Sequence, residues 1–223
     1  MISTSLDQEV LSQIENLNIN CNKPLLISDA DEVILNFVKT FETYLNNIGL
    51  YYDLSSYALF GNIKKIKDDI SIGNDQIIKH ITDFYNLHTE EISFVDESIK
   101  YLERIKNELG CQIIVLSNLP HHNREKREIA FKKNGLNFPI ISNSGLKGLA
   151  IKEIAKKQKN KIFFIDDISA NLLSAYNEVD DVKLIHFISD KRLEKLATTP
   201  KEVDFKAKDW KEIYKYLENE TSR

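Results

Sequence analysis

The sequence predicts an α/β fold, a parallel sheet covered by helices on both faces, on three observations. Short apolar runs alternate with stretches of helical spacing. The runs are almost continuously apolar, as strands buried on both faces are. Several stop abruptly on polar residues, and the carboxyl ends of such strands are where open α/β sheets bind ligands. The clearest is Pro24-Leu25-Leu26-Ile27-Ser28-Asp29-Ala30-Asp31, an apolar run that ends in two aspartates spaced i, i+2. If the strand continued, both acids would point the same way, into one cavity.

Taken in order, Ser5 is a candidate cap for a first helix with Gln8 as its capping-box partner, and Leu6, Val10, Leu11, Ile14 and Leu17 then share a face. Strand one follows. Residues 36 to 108 look helical throughout, with stripes at Phe37/Phe41/Tyr44/Leu45/Ile48, Ile63/Ile66/Ile70 and Ile77/Ile78/Ile81/Phe84/Tyr85, then Ile99/Leu102/Ile105. Gly49, Gly61 and Gly73 punctuate them. A crossover helix between parallel strands needs only a dozen or so residues. This segment is several times longer, so it is expected to hold an inserted helical subdomain, 36–108, within a core made of 1–35 and 109–223.

Gln112–Leu116 is strand two and ends in Ser117-Asn118. A basic helix runs from about Asn123 to Asn134, and Phe138–Ile141 is a short strand. Leu149, Ile151, Ile154 and Ala155 fall on a helix after Gly148. Lys161–Ile165 is a strand ending in Asp166-Asp167, Asn171–Glu178 a helix, Lys183–Phe187 a strand, and Trp210, Ile213, Tyr214 and Leu217 mark a closing helix. The tail after Glu218 is expected to be disordered.

Composition narrows the class. The chain has 223 residues, 42% hydrophobic and 29% charged, with a net charge of −4. That is room for one sizeable core plus an insertion, in an ordinary soluble protein. With a pI near 5.8 it lacks a nucleic-acid footprint. No apolar run reaches the length of a membrane span, and residues 1–20 lack a signal-peptide core, so a cytoplasmic location is the default expectation. Cys21 and Cys111 make neither a disulfide framework nor a metal cluster, and Cys111 reads as a small buried hydrophobe.

In a parallel sheet all strand C-termini emerge at one edge. Asp29/Asp31, Ser117/Asn118 and Asp166/Asp167 could therefore converge, together with Lys147 just before a helix. Gathered carboxylates repel and raise one another's pKa unless a cation neutralises them, and Mg²⁺ is the natural one. A hydroxyl, an amide and an ammonium in the same place suit phosphate oxygens. The combination describes a metal-assisted phosphoryl site.

In these residues the chain resembles the haloacid dehalogenase (HAD) superfamily, and more narrowly its phosphatase branch. Asp29-Ala30-Asp31 matches the family's D-x-D, Ser117 its strand-ending Ser/Thr, Lys147 its lysine before a helix, and Asp166-Asp167 its paired acids, all in the family's order over residues 24 to about 190. The resemblance implies a Rossmann-like, HAD-like core with a helical cap between the first two motifs. It implies Asp29 as the nucleophile that becomes an aspartyl phosphate, and Asp31 as general acid and then base, touching the metal through its carbonyl. Ser117 and Asn118 would bind phosphoryl oxygens and Lys147 would balance charge. Asp29, Asp31, Asp166 and Asp167 would hold Mg²⁺, with Asp167 direct and Asp166 through water. Asp31 favours a phosphate ester over a haloacid. Glu32 departs from the family's usual Gly, which places a negative charge near the phosphate entrance.

The function expected is a Mg²⁺-dependent phosphatase that cleaves phosphate monoesters of a small metabolite, as a monomer or homodimer. A phosphoglucomutase-like phosphotransferase and a catalytically weak binding or regulatory protein are the alternatives. Tyr51, Tyr52, Tyr57, Phe60 and Asn62 are candidates to line the cap. His121-His122 reads as a solvated pair, Arg124–Arg127 as an exposed face, Lys152 as a second choice for the phosphate lysine, and Trp210 as core.

Overall fold

The computed structural model describes residues 5–222. The chain begins with α1 (Gln8–Glu15) and β1 (Leu25–Ser28). A long excursion follows: α2 (Phe37–Asn47), β2 (Leu50–Tyr52), β3 (Ile63–Lys65), α3 (Asn74–His88) and α4 (Ser98–Glu108). The chain then returns through β4 (Gln112–Ser117), α5 (Arg124–Lys133), β5 (Ile140–Ser142), α6 (Gly148–Ala155), β6 (Ile162–Asp166), α7 (Ser169–Glu178) and β7 (Val182–His186). It closes with α8 (Lys191–Glu194), β8 (Phe205–Lys206) and α9 (Trp210–Thr221).

The central sheet has the order β5-β4-β1-β6-β7-β8 and every pair is parallel. From β1 the chain steps outward to β4 and β5, then crosses to β6 on the other flank. The order therefore reverses at β1, and the crevice at such a switch point is where ligands bind. Alternate strand residues feed two cores. Leu26, Ile113, Val115, Phe163 and Ile165 face one side. Leu25, Ile27, Ile114, Leu116, Ile162 and Phe164 face the other, under α1, α6 and α7. Strands buried on both faces explain the unbroken apolar runs in the sequence.

The excursion is not helical throughout. Residues Leu50–Tyr52 and Ile63–Lys65 pair as an antiparallel hairpin. Ile63, Ile66 and Ile70 have helical spacing, but Gly61 and Asp69 adopt left-handed backbone and break a helix there. Only Ile63 is buried, while Ile66 and Ile70 are exposed. Ile48 and Ile78, also placed on apolar stripes, are exposed as well. The helix α4 packs on α9 and β4, beside the sheet.

Two end effects also differ from expectation. Asp7, not Ser5, caps α1, its carboxylate accepting from the Glu9 amide at 2.8 Å. The closing helix continues past Glu218 to Thr221, with the Thr221 hydroxyl donating to Leu217 O. Short α8 and β8 carried no periodic signal. Cys111 and Trp210 are buried, and the Trp210 indole donates to Val33 O at 3.0 Å.

Candidate active site

The strand β1 lies between β4 and β6, with Ser28 level with Val115 on one side and Ile165 on the other. One residue on, Asp29 and Asp166 are thereby held side by side at the carboxyl end of the sheet, and Ser117 ends β4 one residue later. The Asp29 amide donates to Ile165 O at 2.8 Å, which fixes the chain as it leaves the strand. Lys147 reaches the same edge from the N-terminus of α6. That start is tight: a Cβ at Gly148 would lie 2.3 Å from Ser174 O, so only Gly lets α6 approach α7 closely enough.

Fully buried, the Lys147 ammonium donates to Asp29 Oδ1 at 2.5 Å and to Asp166 Oδ2 at 2.7 Å. Asp166 also accepts from the Ile168 amide at 2.8 Å and from Asn171 Nδ2 at 3.0 Å. Asp167 accepts from the Tyr57 hydroxyl at 2.5 Å. Asp29, Asp166 and Asp167 each offer a carboxylate oxygen within 4.8 Å of one another. One ammonium thus stands against three buried carboxylates, and the imbalance is felt. Burial pushes the Asp29 carboxyl up to about 7; Lys147 opposes this, and the charges of Asp166 and Asp31 add to it. Burial, then Asp166 and Asp29, push Asp167 well above the carboxylate range. Burial also weighs against the Lys147 charge, but Asp166 and Asp29 outweigh it and hold its pKa above that of a free lysine. A hard cation among three oxygens relieves such a cluster, and the donor set, carboxylates alone, is the kind Mg²⁺ takes.

The structure gives Asp31 a different setting from Asp29. The buried Arg127 guanidinium donates to Asp31 Oδ1 at 3.0 Å and to Oδ2 at 3.5 Å. The Tyr85 hydroxyl donates to Oδ2 at 3.0 Å and the Ser117 hydroxyl at 3.3 Å. Both oxygens of Asp31 are therefore engaged. Arg127 corrects the expectation of an exposed Arg124–Arg127 face: it lies on the inward side of α5, 0% exposed, beside Tyr85. A three-residue step back from Ala130, which is buried on the same helix, was the signal available in the sequence.

Glu32 is also buried, at a left-handed φ of 59°. A left-handed residue there accounts for a preference for Gly at such a turn. Its carboxylate accepts from the Val38 amide at 2.6 Å, in the first turn of α2, and from the Ser189 hydroxyl at 2.7 Å. It thereby ties the start of the excursion to the loop after β7. Burial pushes its carboxyl up to about 7, against these donors.

The remaining candidates divide. Tyr52, Tyr57 and Phe60 line a cavity of about 490 Å³ together with Asp29, Asp31, Lys147 and Asp167. Asn118 lines it too, although its amide donates to Gly145 O at 2.9 Å and its oxygen accepts from Asn143 at 2.8 Å. Tyr51 lies on the hairpin and donates to Asp69 at 2.9 Å, and Asn62 is bonded within its own loop at Ser56 and Ala58. Lys152 is exposed and pairs with Glu178 at 2.9 Å. His121 is half-buried with Nδ1 2.7 Å from Ser142 Oγ, so it is not simply solvated; His122 is exposed and lies 2.7 Å from Asn86 Oδ1.

Comparison with known proteins bears on the fold. No protein-family model matches the chain. A Buchnera aphidicola (subsp. Baizongia pistaciae, strain Bp) protein named as a PpiD chaperone is 26% identical over 217 residues, covering 85% of this chain; the chain spans 41% of that relative's length. A haloacid dehalogenase-like hydrolase from Streptococcus pneumoniae superposes with a TM-score of 0.58 at 13% identity, over 87% of this chain and 98% of its own. A HAD family hydrolase from Deinococcus radiodurans, solved with bound phosphate and sodium, gives 0.59 at 13% identity, over 91% and 98%. Both dehalogenases and phosphatases occur among the matched structures. The chain has the fold of the haloacid dehalogenase superfamily.

Proposed function

We propose that this chain is a Mg²⁺-dependent phosphoric monoester hydrolase working through Asp29. The observation that carries the proposal is the buried cluster in which Lys147 bridges Asp29 and Asp166 while Asp29, Asp166 and Asp167 offer oxygens to one point. The carboxylates of Asp29, Asp166 and Asp167 would hold the ion, joined by the Asp31 carbonyl. Mg²⁺ supplies charge neutralisation for the phosphoryl oxygens.

In the first step Asp29 attacks phosphorus and the bond to the alcohol oxygen breaks. Lys147 offsets the charge of Asp29 and the incoming phosphate. Asp31 protonates the departing oxygen; in the second step it takes the proton of a water that cleaves the aspartyl phosphate, releasing phosphate. To do so an Asp31 oxygen must exchange Tyr85 and Ser117 for the substrate, and the freed Ser117 hydroxyl can then turn to a phosphoryl oxygen. Tyr57 holds Asp167 in place. Of the segment 36–108 expected as the cap, α4 packs on α9 and β4, so the part from Asn36 to about Glu97 serves as the cap, which excludes water. A soluble cytoplasmic monomer or homodimer acting on a small metabolite completes the proposal, and no helix among the described residues is long and apolar enough to cross a membrane.

The engagement of both Asp31 oxygens favours a second reading, a slow enzyme or binding protein. Phosphate release from a panel of esters, with and without Mg²⁺, decides. Turnover that needs Mg²⁺ and is lost in Asp29→Asn supports the hydrolase. Binding of Mg²⁺ and a phosphate mimic without turnover supports the second reading, transfer to a sugar hydroxyl a phosphotransferase, and chloride release from a haloacid a dehalogenase. Turnover that survives Asp29→Asn rules out the mechanism.

A further inference from the structure

The cavity beside the acidic cluster carries information about the part of the substrate that leaves. Away from the acids its wall is built from Phe37 of α2, Tyr52 of β2, Leu59 and Phe60 of the hairpin loop, Ile81 of α3 and Leu193 of α8. Phe60, 49% exposed, and Ile168, 41% exposed, extend the apolar wall out to solvent.

The tyrosine and asparagine side-chain donors in this wall already have partners. The Tyr52 hydroxyl donates to Tyr57 O at 3.1 Å, the Tyr57 hydroxyl to Asp167 and the Tyr85 hydroxyl to Asp31. Asn171 donates to Asp166 and Asn118 to Gly145 O. A sugar brought here would find carboxylate acceptors but few free donors, so its own hydroxyl and ring oxygens would give up water without replacement, and unpaired buried polar atoms are costly.

Charge excludes a second class. Among the described residues lining the cavity, Lys147 is the one cationic side chain, and its ammonium lies between Asp29 and Asp166. Arg127 is turned onto Asp31. A carboxylate or second phosphate on the leaving group would instead meet Asp31, Glu32 and Asp167. A buried anion without a partner is strongly disfavoured.

We infer that the site takes a phosphate monoester of an uncharged, largely apolar alcohol about the size of one ring, and rejects sugar phosphates and esters that carry a carboxylate. This rests on the phosphatase proposal, and the test separates the two. With the full chain and Mg²⁺, kcat/KM is measured for benzyl phosphate, glucose 6-phosphate and phosphoglycolate, all esters of aliphatic alcohols, so that the wall and not an activated phenol decides. Benzyl phosphate is expected to lead by ~10-fold or more, mainly through KM. Phe60→Ala, at a half-exposed loop position of the wall, is expected to cut that lead about 3-fold, by raising KM for benzyl phosphate more than for glucose 6-phosphate. Equal or faster turnover of glucose 6-phosphate or phosphoglycolate overturns the inference and leaves the phosphatase proposal standing. If no ester turns over, the phosphatase proposal fails, and calorimetry of benzylphosphonate against phosphonoacetate decides the pocket. Tighter binding of benzylphosphonate upholds the apolar preference; equal, weaker or no binding overturns it.

Discussion

Arg127 brings both terminal guanidinium nitrogens to Asp31 and is itself fully buried. Such a charge is tolerable in the interior only because its partner is there. Removing one member of a buried pair leaves the other uncompensated, at a cost of about 3–5 kcal/mol. Arg127→Met is therefore expected to destabilise the chain toward the lower end of that range, because Asp31 keeps some contact with solvent. Adding Asp31→Asn should recover part of the loss. Urea unfolding of both variants checks this, and a loss below about 1 kcal/mol in the single variant would show the pair to be as weak as a surface one. In sequence Arg127 sits in a basic run that suits an exposed helix face equally well. Nothing local separates a solvated arginine from one whose partner lies 96 residues away. Glu32 has a related lesson: it does place a charge at the cavity, as expected, but its carboxylate also joins the first turn of α2 to the loop after β7, a role no local pattern showed.

The helices α4 and α9 are joined by a polar clasp at their edges. Glu108 accepts two hydrogen bonds from Arg104, each 2.8 Å, and a third from the Tyr214 hydroxyl at 2.8 Å, while the Arg104 guanidinium lies 4.1 Å from the Tyr214 ring centroid. Hydrogen bonds from Arg104 and Tyr214 hold the Glu108 carboxyl down at about 2. A lowered carboxyl stabilises the fold above the unfolded-chain pKa near 4.5 and loses that effect as the pH falls toward about 2. The stability difference between the native chain and Glu108→Gln is thus expected to be constant above pH ~5, to shrink on acidification below it, and to weaken with added salt, since the group is exposed. Thermal melts from pH 2 to 7 check it, and a difference that grows on acidification contradicts it. At this scale the long β/α elements were legible because buried strands and amphipathic helices impose patterns of composition. The hairpin was not, because three isoleucines at helical spacing also fit a strand with a turn, and only backbone pairing between Leu50–Tyr52 and Ile63–Lys65 decides.

For the molecule as a whole, folding itself presses Asp29, Asp166 and Asp167 together. The unfolded chain has no such site, so an ion held there stabilises the native state by mass action. At Mg²⁺ about 100-fold above its Kd the gain is ~2.7 kcal/mol, or roughly 5–10 °C in Tm for a chain of this size. Calorimetry should show the rise, its reversal by chelation, and its loss in Asp167→Asn; a rise that persists in Asp167→Asn argues against the site. By itself the sequence determined the βα rhythm, the parallel sheet and the presence of polar groups at strand ends, because burial on both faces and the strand-to-loop boundary leave marks in neighbouring residues. The order of the polar clusters also let their convergence with Lys147 be expected; what the tertiary structure alone decided is which further residues join them: Tyr57 on Asp167, Arg127 on Asp31, and apolar side chains from the hairpin and α3 around the cavity. Those contacts join residues tens of positions apart, and distance in space at such separations is set by the packing of the sheet and its excursion, which no local pattern encodes.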